Sequence, residues 1–228
     1  MYSTKENLQV LHEDNHIIVV NKRAGDIVQG DKTGDKPLSD VVKEYIKEKY
    51  NKPGAVYLGT VHRLDRPTSG IVIYARTSKA LERLNKMLRE KTIKKTYWAV
   101  VKNPPKKTSD TLINFLKKNP KNNKSTAYSK EIDGSKKAIL HYQVLKKLDN
   151  YSLLEIDLET GRHHQIRVQL SNIGATIKGD LKYGAKRSNK DGSIHLHARK
   201  IEFFHPVNKE LVKITAPTPK EAIWDACL

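Results

Sequence analysis

The apolar residues of this chain fall into short, β-branched runs that do not alternate with helices in any fixed order, and this pattern narrows the fold class. "HIIVVNK" (16–22) is apolar, short and rich in Ile and Val, so it reads as a buried strand. "GIVIYARTS" (70–78), "KKTYWAVV" (94–101) and "YSLLEIDLET" (151–160) read the same way. Near the end, "IHLHARKIEFFHP" and "KELVKITAP" add two strands, each stopped by a proline. Helical spacing shows in three places. "LSDVVKEYIKEKY" (38–50) puts Val42, Tyr45 and Ile46 on one face, with Ser39 expected as the N-cap. "KALERLNKMLREK" (79–91) places Leu81, Leu84 and Leu88 at helical intervals. "HQIRVQLSNIG" (164–174) aligns Ile166, Leu170 and Ile173 and stops at Gly174. A doubly wound parallel sheet needs regular alternation, so the expected class is α+β with a largely antiparallel sheet. No repeat or linker is visible, and 228 residues suit one compact unit spanning 1–228.

Charge narrows the partners. The chain carries 43 Lys+Arg against 25 Asp+Glu, a net charge of +18, which attracts polyanions. Nucleic acid is the leading candidate and an anionic membrane surface the second. Residues 102–137 concentrate the excess, with ten Lys against Asp110, Glu131 and Asp133. Pro, Asn and Ser fill much of the rest, so this segment reads as an exposed, mobile arm. It suits a phosphate-gripping excursion beside an RNA groove, or else a soluble loop whose lysines meet only water. Cys227 is the single cysteine, which excludes an intrachain disulfide and a Cys-based zinc site. No stretch approaches the roughly 18 apolar residues of a membrane span, and "MYSTKENLQV" has no apolar core of a signal peptide. A cytoplasmic protein with no membrane partner is expected.

Several chemistries are not indicated. There is no GxxxxGK[ST] and no GxGxxG after a strand, so nothing suggests a nucleotide cofactor. The "HH" at 163–164 and "HLH" at 195–197 have no carboxylate at helical ligand spacing, which favours hydrogen bonding over a metal. Ser69 lacks the GxSxG elbow of a serine nucleophile. What remains is "TVHRLDRPTSG" (60–70), which sets Asp65 among His62, Arg63 and Arg66 before a Pro-Thr-Ser-Gly turn. A carboxylate attacks only when ionised and aimed; nearby cations favour the first and a rigid turn supplies the second. From these residues alone, Asp65 is either such a group or the cap of a turn.

Resemblance adds weight to the first reading. "HRLDRPTSG" (62–70) resembles the signature of the RluA family of pseudouridine synthases, whose essential aspartate falls at Asp65. "EDNHIIVVNKRAG" (13–25) is similar to the family's N-terminal strand motif, and "KKTYWAVV" (94–101) to the segment bearing its active-site tyrosine, here Tyr97. "LETGRHHQIRVQLSNIGATIKGDLKYG" (158–184) and "LHARKIEFFHP" (196–206) resemble its later motifs, in the same order. The likeness covers roughly residues 10–215. It departs at Lys22-Arg23-Ala24-Gly25, where the family usually has Lys-Pro-Ala-Gly. Many relatives also carry an N-terminal S4-type RNA-binding domain, whereas this chain is expected to be the catalytic domain alone. The Lys-rich arm would then do more of the gripping.

The resemblance implies a mixed, mostly antiparallel sheet flanked by helices around an RNA-binding cleft. It implies isomerisation of uridine to pseudouridine in ribosomal or transfer RNA, on a flipped-out base and with no cofactor. Asp65 would be the essential carboxylate, and Tyr97 would stack on the target base. Arg167 would be the cation that keeps Asp65 ionised, although Arg162 has a comparable position. His62, Arg63, Arg66, Arg162 and Gln165 would contact substrate, and a monomer is expected. Two rival readings are a non-catalytic RNA-binding factor and a metal-dependent nuclease; the nuclease would need further carboxylates near the motif.

Overall fold

Antiparallel strands β1 (Val10–Glu13) and β2 (Ile17–Lys22) open the architecture, and β2 is buried along its whole length, as its Ile-Ile-Val-Val run requires. This is a computed structural model, and it describes residues 2–228. The chain divides into two compact units. The first comprises the residues up to Lys94 and His197–Pro219, and the second Lys95–Leu196 and Lys220–Leu228. Length alone suggests a single unit. Two of the three boundaries, 94/95 and 196/197, fall at the starts of strands with no Gly-, Pro- or Ser-rich composition to mark them, and the third, 219/220, falls in the Pro-containing stretch after β11.

In the first unit, α1 (Leu38–Lys49), β3 (Gly59–Thr60), β4 (Ser69–Ala75) and α2 (Ser78–Arg89) follow β2, and β10 (Leu196–Phe204) and β11 (Leu211–Thr215) complete it. Strand β4 pairs antiparallel with β2 and β3, and β10 pairs antiparallel with β11. Strand β10 also meets β4 in a short parallel contact, with His197 facing Ser69 and Ala198 facing Gly70. Thr77 caps α2 by accepting the Ala80 N–H at 3.1 Å. Ser39, expected to cap α1, lies inside that helix. Extended Pro37 is the N-cap, with no side-chain cap bond. The segment at 27–28 does the capping instead: Leu38 N–H donates to Ile27 O at 2.8 Å and Ser39 N–H to Val28 O at 3.3 Å. Tertiary backbone has replaced the local side chain.

The second unit is built on β5 (Lys94–Val101), β6 (Ser109–Asn119), β7 (Lys124–Tyr128), β8 (Lys136–Lys147) and β9 (Ser152–Leu158). They are ordered β5-β9-β8-β6-β7 and antiparallel throughout. Helix α3 (Gln165–Asn172), a 3-10 turn (Leu181–Tyr183) and the short α4 (Ala222–Asp225) complete it. Val168 of α3 and Tyr183 pack on Leu116 and Ala138, which point to one face of the sheet. The C-terminal residues Trp224 and Cys227 pack on Trp98, Val100 and Leu153. Gly174 ends α3 at φ +81, as its C′ position demands.

The segment read as a mobile arm is a regular hairpin, β6–β7, with Phe115 opposite Tyr128 and Asn119 opposite Lys124. Its lysines are exposed, as expected, but Leu112, Leu116 and Ser125 are buried at strand periodicity beneath them. The lysine content obscured an alternation that was present in the sequence. Among the described residues, no helix is long and apolar enough to cross a membrane.

Candidate functional site

The Asp65 loop joins β3 to β4 in the first unit. Val61, Leu64 and Thr68 are buried, which fixes the loop to the core and leaves Arg63 exposed and Asp65 half-buried. Thr68 N–H closes the turn on Asp65 O at 3.0 Å. The loop is held from below by Lys22, which is only 1% exposed. Its ammonium donates to Thr68 O at 2.7 Å, Arg23 O at 2.9 Å and Arg66 O at 3.1 Å. Gly25 N–H adds a bond to Arg66 O at 2.8 Å. Burial pulls the Lys22 pKa down to about 7, against the opposing pull of the Asp26 and Asp65 carboxylates. The field of Asp65 therefore reaches the cation that supports its own loop.

The end of the loop is fixed equally firmly. Gly70 has φ +113, and a Cβ there would lie 2.4 Å from both the N and O of Ala198. Only glycine permits this crossing of β4 and β10. One residue earlier, Ser69 Oγ and His197 Nδ1 are 2.8 Å apart. His197 Nε2 faces Ala216 O at 3.4 Å, and a carbonyl can only accept, so Nε2 carries the proton and the Ser69 hydroxyl donates to Nδ1. Burial depresses the His197 pKa to about 4, consistent with this neutral ring.

The remaining expected residues of this unit have structural partners. His62 Nε2 accepts the Ile73 N–H at 3.2 Å. Arg66 pairs with Asp35 at 2.7 Å and reaches Tyr2 OH at 3.4 Å.

In the second unit, Tyr97 stands buried on β5 opposite Ile156, on the sheet face that also carries Leu140. The 159–164 loop then leads into α3, and its shape rests on Gln165. That buried amide accepts from Thr160 Oγ1 at 2.8 Å and Arg162 N–H at 3.0 Å, and donates to Ile139 O at 3.0 Å. Gln165 therefore fastens the loop. Arg162 is exposed, with Nε bonded to Lys137 O at 3.0 Å.

Arg167 is 6% exposed and forks onto Asp180, with Nη2 to Oδ1 at 2.6 Å and Nε to Oδ2 at 2.7 Å. Its guanidinium carbon lies 5.1 Å from the centroid of the Tyr183 ring. Nη1 lies 3.3 Å from His164 Nε2; a guanidinium only donates, so Nε2 accepts and His164 Nδ1–H donates to Tyr183 OH at 2.8 Å. That hydroxyl also accepts the Ser125 N–H at 2.8 Å. Burial, reinforced by the Arg167 charge, drives the His164 pKa down to about 2. His164 itself sits at φ +54 at the N-cap of α3, with its ring stacked on His163 at 3.7 Å. The two histidines are thus part of a hydrogen-bonded scaffold. Among the described residues, no group of three or more His, Cys, Asp or Glu is placed to hold a metal ion.

Sequence reasoning singled out neither Lys22, Asp180 nor Tyr183 as supports of the site, and gave His164 and His197 only as hydrogen-bonding histidines. A lysine ending a fully buried strand that opens Ile-Ile-Val-Val was the one legible signal among them.

Residues 16–172 match the family model described as RNA pseudouridylate synthase. Among curated proteins, the chain is 37% identical over 220 residues to the ribosomal large subunit pseudouridine synthase C of Buchnera aphidicola subsp. Baizongia pistaciae, covering 92% of this chain and 67% of that protein. It is 33% identical to an uncharacterized RNA pseudouridine synthase of Synechocystis sp., covering 93% of this chain and 66% of the relative. With the ribosomal large subunit pseudouridine synthase D of Xanthomonas campestris pv. campestris it shares 31% identity, covering 94% and 67%. The chain thus spans about two thirds of the length of these relatives. In structure it is similar to human RNA pseudouridylate synthase domain containing 4, with a TM-score of 0.77, 24% identity and coverage of 93% and 89%, which supports the α+β fold.

Proposed function

Since the chain belongs to the RNA pseudouridylate synthase family, an isomerase family, we propose that it isomerises uridine in ribosomal RNA with Asp65 as the essential carboxylate. The observation that carries this reading is the build of the Asp65 loop. Its backbone is clamped by Lys22 and by the Gly70 crossing, while the carboxylate itself stays half-buried rather than enclosed. A merely structural aspartate does not require such support for its main chain.

The reaction breaks the N1–C1′ bond and joins C5 to C1′; the C5 proton leaves and N1 gains one. Nothing is oxidised and no group is consumed, so the chemistry calls for no redox or group-transfer cofactor. The target base is reached by flipping it out of the stack, at a cost of a few kcal/mol. Tyr97 stacks on it and Arg167 acts as the positioning cation, its fork held rigid by Asp180. Arg63 and Arg162, both exposed, meet RNA. The Lys-rich β6–β7 hairpin grips phosphates, so affinity falls steeply with salt.

The test is tritium release from RNA labelled at uridine C5, run on ribosomal and transfer RNA separately. Wild type releases tritium from ribosomal RNA and is indifferent to a chelator. Asp65→Asn loses on the order of a thousandfold or more in rate. An active Asp65→Asn protein would overturn the assignment, and inhibition by chelator would favour a metal-dependent reaction instead.

A further inference from the structure

Lys95 is the second residue of β5, two before Tyr97, and its environment is unusual for an ammonium group. It is half-buried, yet it makes no hydrogen bond and no ion pair among the described residues. Alternation along a strand puts Lys95 and Tyr97 on the same face of the sheet. The cation also lies against the 159–164 loop: a Cβ built on Gly161 would stand 3.8 Å from Lys95 Nζ, and nothing nearer is found there. Burial lowers the Lys95 pKa, and no carboxylate is close enough to oppose it.

An ammonium half-withdrawn from water with no carboxylate beside it is disfavoured, and proteins normally pair it or expose it more fully. The other lysines of this unit do so. Lys107 pairs with Asp110 at 2.9 Å, and Lys178 bonds Asn189 Oδ1 at 2.6 Å. A smaller apolar residue at position 95 would avoid the penalty altogether. The arrangement is understandable if an anion from outside the chain completes it.

We infer that Lys95 is a phosphate-binding residue, receiving a backbone phosphate of the RNA whose uridine is stacked on Tyr97. Two residues of extended strand span about 6.8 Å, comparable with the reach from a nucleotide's base to its phosphate. Gly161 leaves the space beside Nζ that a phosphate oxygen would need. The inference rests on the proposed reading of Tyr97 as the base-stacking residue. Lys95 contributes by fixing the nucleotide, and Asp65 remains the reacting group.

Binding is best measured in the Asp65→Asn background, by fluorescence anisotropy with a labelled uridine-containing RNA stem-loop, so that turnover does not intrude. Lys95→Gln is expected to weaken binding about tenfold at low salt. It should also lower the slope of log affinity against log salt by about 0.7, the value for one single-strand phosphate contact. Lys95→Arg should restore most of both. In the otherwise wild-type enzyme, Lys95→Gln should raise KM with little change in kcat.

NMR of the labelled lysine side chain provides a readout that a structural role would not move. The Lys95 pKa should rise toward its ordinary value on adding the stem-loop, and should stay put with uridine nucleoside. A rise with inorganic phosphate alone would identify a site for free phosphate and overturn the assignment to RNA. Unchanged affinity and salt slope in Lys95→Gln, with the same melting temperature as its parent, would overturn it too. If tritium release fails for every RNA while these binding effects persist, the catalytic reading fails and the phosphate site stands.

Discussion

The Asp65 loop and the Arg167 helix place functional groups by opposite means. At Asp65 the protein grips the backbone: Lys22 holds the Arg66 and Thr68 carbonyls from below, and the aspartate side chain is left half-buried. At Arg167 the protein grips the side chain itself, through the Asp180 fork, the His164 contact and the Tyr183 ring. A group that reacts must be reachable, so only its main chain can be immobilised. A group that supplies a fixed positive charge can be enclosed, and enclosure strengthens its field.

Removing each clamp should expose this difference. Arg167→Met leaves Asp180, 1% exposed, as an unpaired buried charge, and should cost about 3–5 kcal/mol in urea-measured stability. Lys22→Met removes a buried cation as well as its bonds, so these effects oppose each other and the loss should stay near 2 kcal/mol. Its larger effect should be on turnover, at least tenfold, because the loop loses its aim. Equal stability losses in the two variants would erase the distinction. Gly70→Ala tests the other end of the loop: with φ +113 and a Cβ 2.4 Å from Ala198 backbone, it should destabilise by about 3 kcal/mol.

Acid should act on both regions. His197 beneath the first loop and His195 in the second unit have pKa values of about 4, chiefly through burial, against an ordinary 6.5. The unfolded chain therefore binds more protons below pH 6.5. Stability should fall as the pH drops from 6.5 toward 4 and then level with respect to these groups. Equilibrium unfolding across that range checks it, and His197→Asn should flatten part of the slope. The smallest effect is expected at Arg66→Ala. Its ion pair with Asp35 joins side chains 39% and 51% exposed, and its loss should change stability by no more than about 1 kcal/mol.

Much of this was legible along the chain. The periods of β2, β4, β5, β9, α2 and α3 were strong because each buries one face or both, and burial selects residues at regular intervals. Strand β8 went unread because its apolar core is short and flanked by lysines, and β6 was obscured by the charge around it. Within the site, the Asp65 motif could be read because its cations and turn residues are adjacent in sequence. The loop-fastening bonds of Gln165 were not legible, because its partners Thr160, Arg162 and Ile139 come together only once the loop is folded.

By itself, the amino-acid order determined the fold class, the basic character and the motif bearing Asp65, all of which depend on local spacing and summed charge. Tertiary structure alone decided what supports that motif. Lys22 reaches carbonyls more than forty positions away, Arg167 meets Asp180 thirteen positions on, and Ser69 meets His197 across the parallel strand contact. The physical reason is that a buried polar group must find its partner wherever the packed chain provides one, and no sequence period encodes that meeting.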